Sequence, residues 1–342
     1  MAKGNHITIK DVAEQAGVSI QTVSRVINNR PDVSPETRQN IQATIDRLGY
    51  QPFANARGLA AKRTYTLGLI TADFSDFWFS MVVTGAEKEA LDKGYYFLLG
   101  NANCDPEDDQ KFLRLLTERH VEGVLFVRGD YENEVTHLAR LKEFGIPVVT
   151  TGHHSPEVDT AQIDVDNIKG GRRAVEYLIG LGHKKIAMIT GPTQWKSTQD
   201  RTQGYHQALQ DAGILVDRNL VVEGDNWLHS SGYKNAKMLV KQGAAFTAIF
   251  AHNDRIARGA IHALNEAGLK VPADVSVIGY DDITEAEFSD HPLTTIRQPM
   301  TEVGEAAARL LIQMIEDAST VSRPILFDTA LVERSSCAPP RQ

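Results

Sequence analysis

The sequence predicts a small all-α head joined to an α/β body of two doubly wound lobes. Three observations predict it. Residues 8 to 48 carry apolar side chains at helical spacing, broken by Gly17 and followed by Gly49. From Thr64 onward the pattern changes to short apolar strands alternating with helices, which argues for parallel sheets covered on both faces. The alternation runs through two successive series, so one lobe per series is expected.

Length and composition bound the answer. The 342 residues suit two or three domains, and 42% apolar content suffices for sizeable cores. No run approaches the ~18 to 20 apolar residues of a membrane span. The opening "MAKGNHITIK" has no apolar h-region, so no secretory signal is expected. Cys104 and Cys337 stand far apart with no metal-like spacing. They read as reduced thiols of a cytoplasmic protein. Net charge is −8, which by itself argues against nucleic acid. Residues 1–63, however, hold nine Lys or Arg against five Asp or Glu, a net +4 that leaves −12 for the rest. A basic head on an acidic body suggests that only the head meets a polyanion.

In the head, Thr8 followed by Asp11 reads as an approximate capping box. Ile9, Val12, Ala13 and Ala16 follow a helical period, and Gly17 ends that helix. Ser19 caps a second helix whose inner face is Val23, Val26 and Ile27. Gln21 and Arg25, four apart, project side by side from its other face. Ser34-Pro35 opens a third helix with Ile41, Ile45 and Leu48 inward. Two short helices joined by a glycine turn, with a third in support, make the helix-turn-helix plan. Arg suits guanine and Gln suits adenine in a major groove. Ser19, Thr22, Ser24, Asn28 and Asn29 suit phosphate positioning. The competing interpretation is an ordinary amphipathic helical pair with a solvated polar face.

Residues 51–63 contain "PFANARGLAAKR", alanine-rich with three bases and no acid. Alone it is too short for a stable helix, and Gly58 weakens it further. It reads as a linker or hinge.

The segment "TIKDVAEQAGVSIQTVSRVIN" with its continuation "VSPETRQNIQATIDRLGYQPFANARGLA" resembles the head of the LacI/GalR family of bacterial regulators. The resemblance implies that Ile20, Gln21 and Arg25 read bases, with Thr8 also at the DNA. It further implies that the hinge becomes helical when two copies meet in the minor groove. There Leu59 wedges between central base pairs and Arg57 lies near phosphates. The family organisation implies a helix-turn-helix domain over 1–50, a hinge over 51–63 and an effector and dimerisation body over 64–342. Within that body, lobe one takes about 64–163 and 294–326, and lobe two about 164–293 and 327–342. The body then resembles a periplasmic sugar-binding protein.

Strand-like segments are "YTLGLIT" (65–71), "YYFLLG" (95–100), "EGVLFV" (122–127) and "IPVVT" (146–150), then "KKIAMIT" (184–190), "FTAIFAH" (246–252) and "VSVIGY" (275–280). Ligands of doubly wound sheets sit beyond the carboxyl ends of strands. "DFSDFWFS" (73–80) follows the first strand and brings Asp76, Phe77, Trp78 and Phe79. Relatives often read Asn-Pro-Phe-Phe there; the aromatics are kept and the proline is not. Phe77 and Phe79 suit either ligand stacking or lobe packing. The family's R-x-x-G-[YF] element maps onto Arg201, Gly204 and Tyr205, with the Arg201 fork expected free for a ligand. Asn253, Trp227 and Asp281 match effector contacts of the family. Asp254 is expected to cap the helix that starts there. Gln298 lies at the lobe crossing. Asp130 in "RGD" and the pair His153-His154 are loop residues with a weaker claim. Asp166-Asn167 are expected to cap a helix.

No Walker loop, G-x-G-x-x-G, G-x-S-x-G or zinc spacing is present. An enzyme is therefore disfavoured, and neither cofactor nor metal is expected. The reading is a sequence-specific repressor on a pseudo-palindromic operator, working as a homodimer. A small molecule controls it, a sugar by preference and a nucleobase as the alternative. The C-terminal "VERSSCAPPRQ" has no leucine heptads, which disfavours a four-chain coiled coil.

Overall fold

The computed structural model describes residues 7–27, 30–50, 63–101, 106–127, 138, 141–152, 160–288, 291–320 and 323–341. They form two compact units, divided after Tyr65.

The first unit holds α1 (Ile9–Ala16), α2 (Ile20–Ile27) and α3 (Pro35–Leu48). The Asp11 carboxylate accepts from the Thr8 N–H and hydroxyl, each at 2.7 Å. Gly17 turns the chain with φ +67°, open to glycine at no steric cost. Ser19 accepts from the Thr22 N–H at 3.1 Å, and Ser34 from Thr37 at 3.3 Å. Val12, Val23, Val26 and Ile41 close a small core.

The second unit begins at β1 (Thr66–Thr71), α4 (Phe77–Asp92), β2 (Tyr96–Asn101), α5 (Pro106–Glu118), β3 (Gly123–Val127), β4 (Val148–Thr151) and β5 (Ala161–Val165). It continues through α6 (Asn167–Gly180), β6 (Ile186–Ile189), α7 (Lys196–Asp211), β7 (Val221–Val222), α8 (His229–Lys241), β8 (Ala248–Ala251), α9 (Asp254–Glu266) and β9 (Ser276–Ile278). It ends with the helical turn α10 (Thr284–Glu287), β10 (Thr295–Arg297), α11 (Met300–Glu316), β11 (Ile325–Phe327) and β12 (Ala330–Val332).

Lobe one is a parallel sheet ordered β11-β5-β4-β3-β1-β2, and lobe two a parallel sheet ordered β7-β6-β8-β9. Single parallel bridges, Ile278 to Thr294 and Asp281 to Arg297, place β10 beside β9, and β10 pairs antiparallel with β12. The break expected at 163/164 falls inside β5, and that expected at 294 precedes a strand that pairs with lobe-two residues. Register decides both points, because a ladder cannot be cut mid-strand. Gln162 and Asp164 interrupt the apolar residues of β5, so it shows no apolar run in the sequence.

Each sheet reverses its strand order once, at β1/β3 in lobe one and at β6/β8 in lobe two. Such switch points open a crevice at the carboxyl ends of the strands. Gly204 lets α7 touch α6: a Cβ there would lie 2.2 Å from the Ile168 carbonyl oxygen. Tyr205 donates to the Ile186 carbonyl at 2.8 Å and is buried. The R-x-x-G-Y element therefore locks α7 in place and aims Arg201. Among the described residues no helix is long and apolar enough to cross a membrane.

Candidate functional site

A cleft lies where the two switch points face each other. All eight residues predicted for an effector line it: Asp76, Trp78, Phe79, Arg201, Trp227, Asn253, Asp281 and Gln298. The same wall includes Asp164, Asn167, Trp195 and Ser197, which the sequence reading did not assign to it. Trp195 lies in the loop after β6, in "GPTQW", and obeys the same end-of-strand rule that found Trp78. Asp164 was missed together with its strand.

The aromatics run across the gap. Trp78 meets Phe79 edge-on at 5.2 Å, Phe79 lies 6.1 Å from Trp195, and Trp195 meets Trp227 edge-on at 5.9 Å. Phe77 packs against the cores of both lobes, and Trp195 of lobe two packs against the core of lobe one. Arg255 of α9 also reaches across, 3.3 Å from the Ser75 carbonyl and 3.8 Å from the Asp76 carboxylate.

The polar groups differ from expectation in two ways. Arg201 is buried in the second turn of α7 and its fork is partly engaged by protein groups. Its Nε donates to Asn167 Oδ1 at 2.9 Å, and one Nη to the His252 carbonyl. Its other Nη lies 3.9 Å from Asp281, and the guanidinium stacks 3.7 Å above the Tyr280 ring. The planar, buried fork leaves few other solutions once its neighbours are fixed. The helix cap expected at Asp254 is also supplied by Asn253, which still lines the cleft. Asn253 is the N-cap of α9, accepting from Ile256 at 2.7 Å while donating to the Trp227 carbonyl at 3.0 Å. Asp254 is fully buried one residue on and accepts from Ile283 N–H and the Thr295 hydroxyl. Asp166, as expected, caps α6.

Carboxylates dominate what remains. Burial pushes Asp281 up to about 7 and Asp164 up to about 6, and it also raises Asp76. Asp281 accepts from Gln298 at 2.6 Å and sits at φ +112°, followed by Asp282 at φ +59°. Non-glycine residues rarely adopt such angles, and they persist where the surroundings over-determine them. Here Asp282 is clamped by Arg297 at 2.6 Å and Arg334 at 2.7 Å. Asp76 caps α4 through the Trp78 N–H. Trp227 Nε1 is buried without a hydrogen-bond partner among the described residues.

In the head, Ile20 is 44% exposed, and the Arg25 guanidinium lies 3.2 Å from Asp32 on the surface. Ser19 and Thr22 share a 2.8 Å hydrogen bond. Asn28, Asn29, Arg57, Leu59, Cys104, Asp130, His153 and His154 lie outside the described residues.

Two family models match the chain. Residues 8–52 match the bacterial regulatory proteins of the lacI family, and residues 175–337 match a periplasmic binding protein-like domain. The HTH-type transcriptional repressor PurR of Klebsiella pneumoniae (strain 342) is 38% identical over 97% of both chains. The chain belongs to the lacI family. Among solved structures of similar fold is the transcriptional regulator CelR–cellobiose complex, 34% identical, with 96% of this chain and 99% of that chain covered and a TM-score of 0.75. The lac repressor dimer bound to operator and the anti-inducer ONPF is 29% identical, with 97% and 99% covered and a TM-score of 0.90. As a lacI-family member the protein is a DNA-binding transcriptional regulator of the repressor class, controlled by a small-molecule effector.

Proposed function

We propose that the effector is a sugar held between the lobes, and that two copies of this chain act in the cytoplasm as a homodimer on a pseudo-palindromic operator. One observation carries the sugar reading: three indoles and a phenyl ring enclose Asp76, Asp164 and Asp281. A pyranose offers an apolar C–H face to an indole and a rim of hydroxyl donors to carboxylates. A nucleobase presents ring nitrogens and carbonyls that call for several donors, and the charged side chains of this cleft are mainly acceptors. The likeness to a regulator solved with cellobiose supports the sugar, and the 38% identity to the PurR repressor supports the nucleobase alternative.

In the head, Ile20, Gln21 and Arg25 read base edges, while Thr8, Ser19, Thr22, Ser24 and Asn28 set the register on phosphates. Arg57 and Leu59 act at the operator centre. Sugar binding changes the angle between lobes and thereby releases the operator. That requires unequal affinity for the two lobe arrangements, since equal affinity shifts nothing.

The test is a thermal-shift panel of sugars and nucleobases on the full chain, followed by operator binding with each hit. A ligand bound by the folded form raises its melting temperature. Stabilisation by a sugar together with loss of operator affinity is expected. Stabilisation by nucleobases alone overturns the sugar reading.

A further inference from the structure

The cleft holds more negative charge than its cations balance. Among the described residues that line it, the carboxylates Asp76, Asp164 and Asp281 share the wall with a single cation, Arg201. Asp281 lies 3.9 Å from Arg201, and Asp76 lies 3.8 Å from Arg255. Asp164 forms no such pair. Among the described residues it accepts only from the adjacent Val165 N–H, at 2.7 Å. Lys196 and Asp200 stand near it, but they pair with each other. Burial holds the Asp164 carboxyl up at about 6, so at pH 7 it is mostly ionised. An ionised carboxylate drawn out of water calls for a cation or a set of donors.

The aromatic wall beside it fits the same partner. Trp195 is the N-cap of α7, the helix whose first turns approach Asp164. Arg201 already stands 5.6 Å from the Trp227 ring, whereas among the described residues no cation lies over Trp78 or Trp195. An indole face attracts a cation, and more strongly when both are shielded from water. A neutral hydroxyl donates one hydrogen bond and leaves the carboxylate's charge uncancelled. An ammonium group brings three N–H donors and a full positive charge.

Resting on the sugar reading, we propose that the effector is an amino sugar whose protonated amine lies between the Asp164 carboxylate and the Trp195 indole. The rest of the ring lies in the cleft with its hydroxyls toward Asp76 and Asp281.

The test is calorimetric titration of the full-length chain at pH 7 with glucose, glucosamine and N-acetylglucosamine, and with the corresponding galactose series. Cellobiose serves as a neutral control. In one series the amine binds about tenfold more tightly than the parent sugar, and N-acetylation, which removes the charge, abolishes the gain. In Asp164→Asn, which keeps the side chain's shape, the amine-to-parent ratio falls to about one. The wild-type comparison reads the charge directly, whatever the stability of the variant. Parent sugars that bind as tightly as their amines, an N-acetyl form that matches the amine, binding by cellobiose alone, or a preference kept in Asp164→Asn each overturn the amine and leave the sugar reading standing. Absence of binding by every saccharide overturns the sugar reading and the amine together.

Discussion

Asp281→Asn isolates the cost of holding a charge in the cleft. The carboxyl ionises near 3.8 in an ordinary setting, and burial pushes it up to about 7 despite Arg201. The gap is roughly three pH units, each worth about 1.36 kcal/mol, or about 4 kcal/mol in all. Below 3.8 the group is protonated in both folded and unfolded chains and costs nothing. As pH rises toward 7 the unfolded chain has released a proton that the folded chain keeps, and stability falls. Above 7 the full cost stands. Asparagine carries no charge and still offers Oδ1 to Gln298, now 2.6 Å from the carboxylate. Arg201 keeps Asn167 and the His252 carbonyl. The variant is therefore expected to match the wild type near pH 4 and to exceed it by about 4 kcal/mol at pH 8.5. For a body of this size that is on the order of 10 °C in melting temperature. The chain's three tryptophans, Trp78, Trp195 and Trp227, all line the cleft, so their fluorescence follows the relevant transition. Sugar affinity should fall with the same substitution, because the ionised acceptor is lost. A variant less stable than wild type at pH 8.5 would refute the reasoning and make Asp281 a stabilising partner of Arg201.

Trp227→Phe removes a buried N–H that has no partner among the described residues; sugar affinity by calorimetry should drop about tenfold, while the unliganded melting temperature should change little. Arg25→Ala should cost about 1 to 3 kcal/mol on the operator and relax one base position in a competition series; uniform loss across all sequences would mark a phosphate contact instead. The Asp32 pairing of Arg25 is exposed and worth at most about 1 kcal/mol, so Asp32→Ala changes operator affinity far less than Arg25→Ala does. Gly204→Ala forces a methyl to 2.2 Å from the Ile168 carbonyl oxygen; overpacking of this kind costs about 1 to 3 kcal/mol or more, read as a lower melting temperature of the body, and an unchanged melting point would show that α6 and α7 separate freely.

The sequence by itself determined the head, the two-lobe body and most of the cleft wall. The head was legible because capping residues, glycine turns and a 3.6-residue period all act within a few residues of one another. The cleft was legible where an uninterrupted apolar run announced the end of a strand, as before Asp73, Asn253 and Asp281. Strands interrupted by polar residues gave no such signal: Gln162 and Asp164 broke the apolar run of β5, and β10 to β12 hid where the chain crosses between lobes. Trp195 escaped because its loop lacked the aromatic run that marked 73–80.

Only the tertiary structure decided what each polar group is free to do. Arg201 looked available along the chain, yet Asn167, His252 and Tyr280 converge on it from three other elements. The cap fell to Asn253 rather than Asp254 because Ile283 and Thr295, distant in sequence, claim both oxygens of the Asp254 carboxylate. Local order follows from neighbours along the backbone. The availability of a donor or acceptor follows from which distant groups satisfy it first, and that is fixed when the lobes pack.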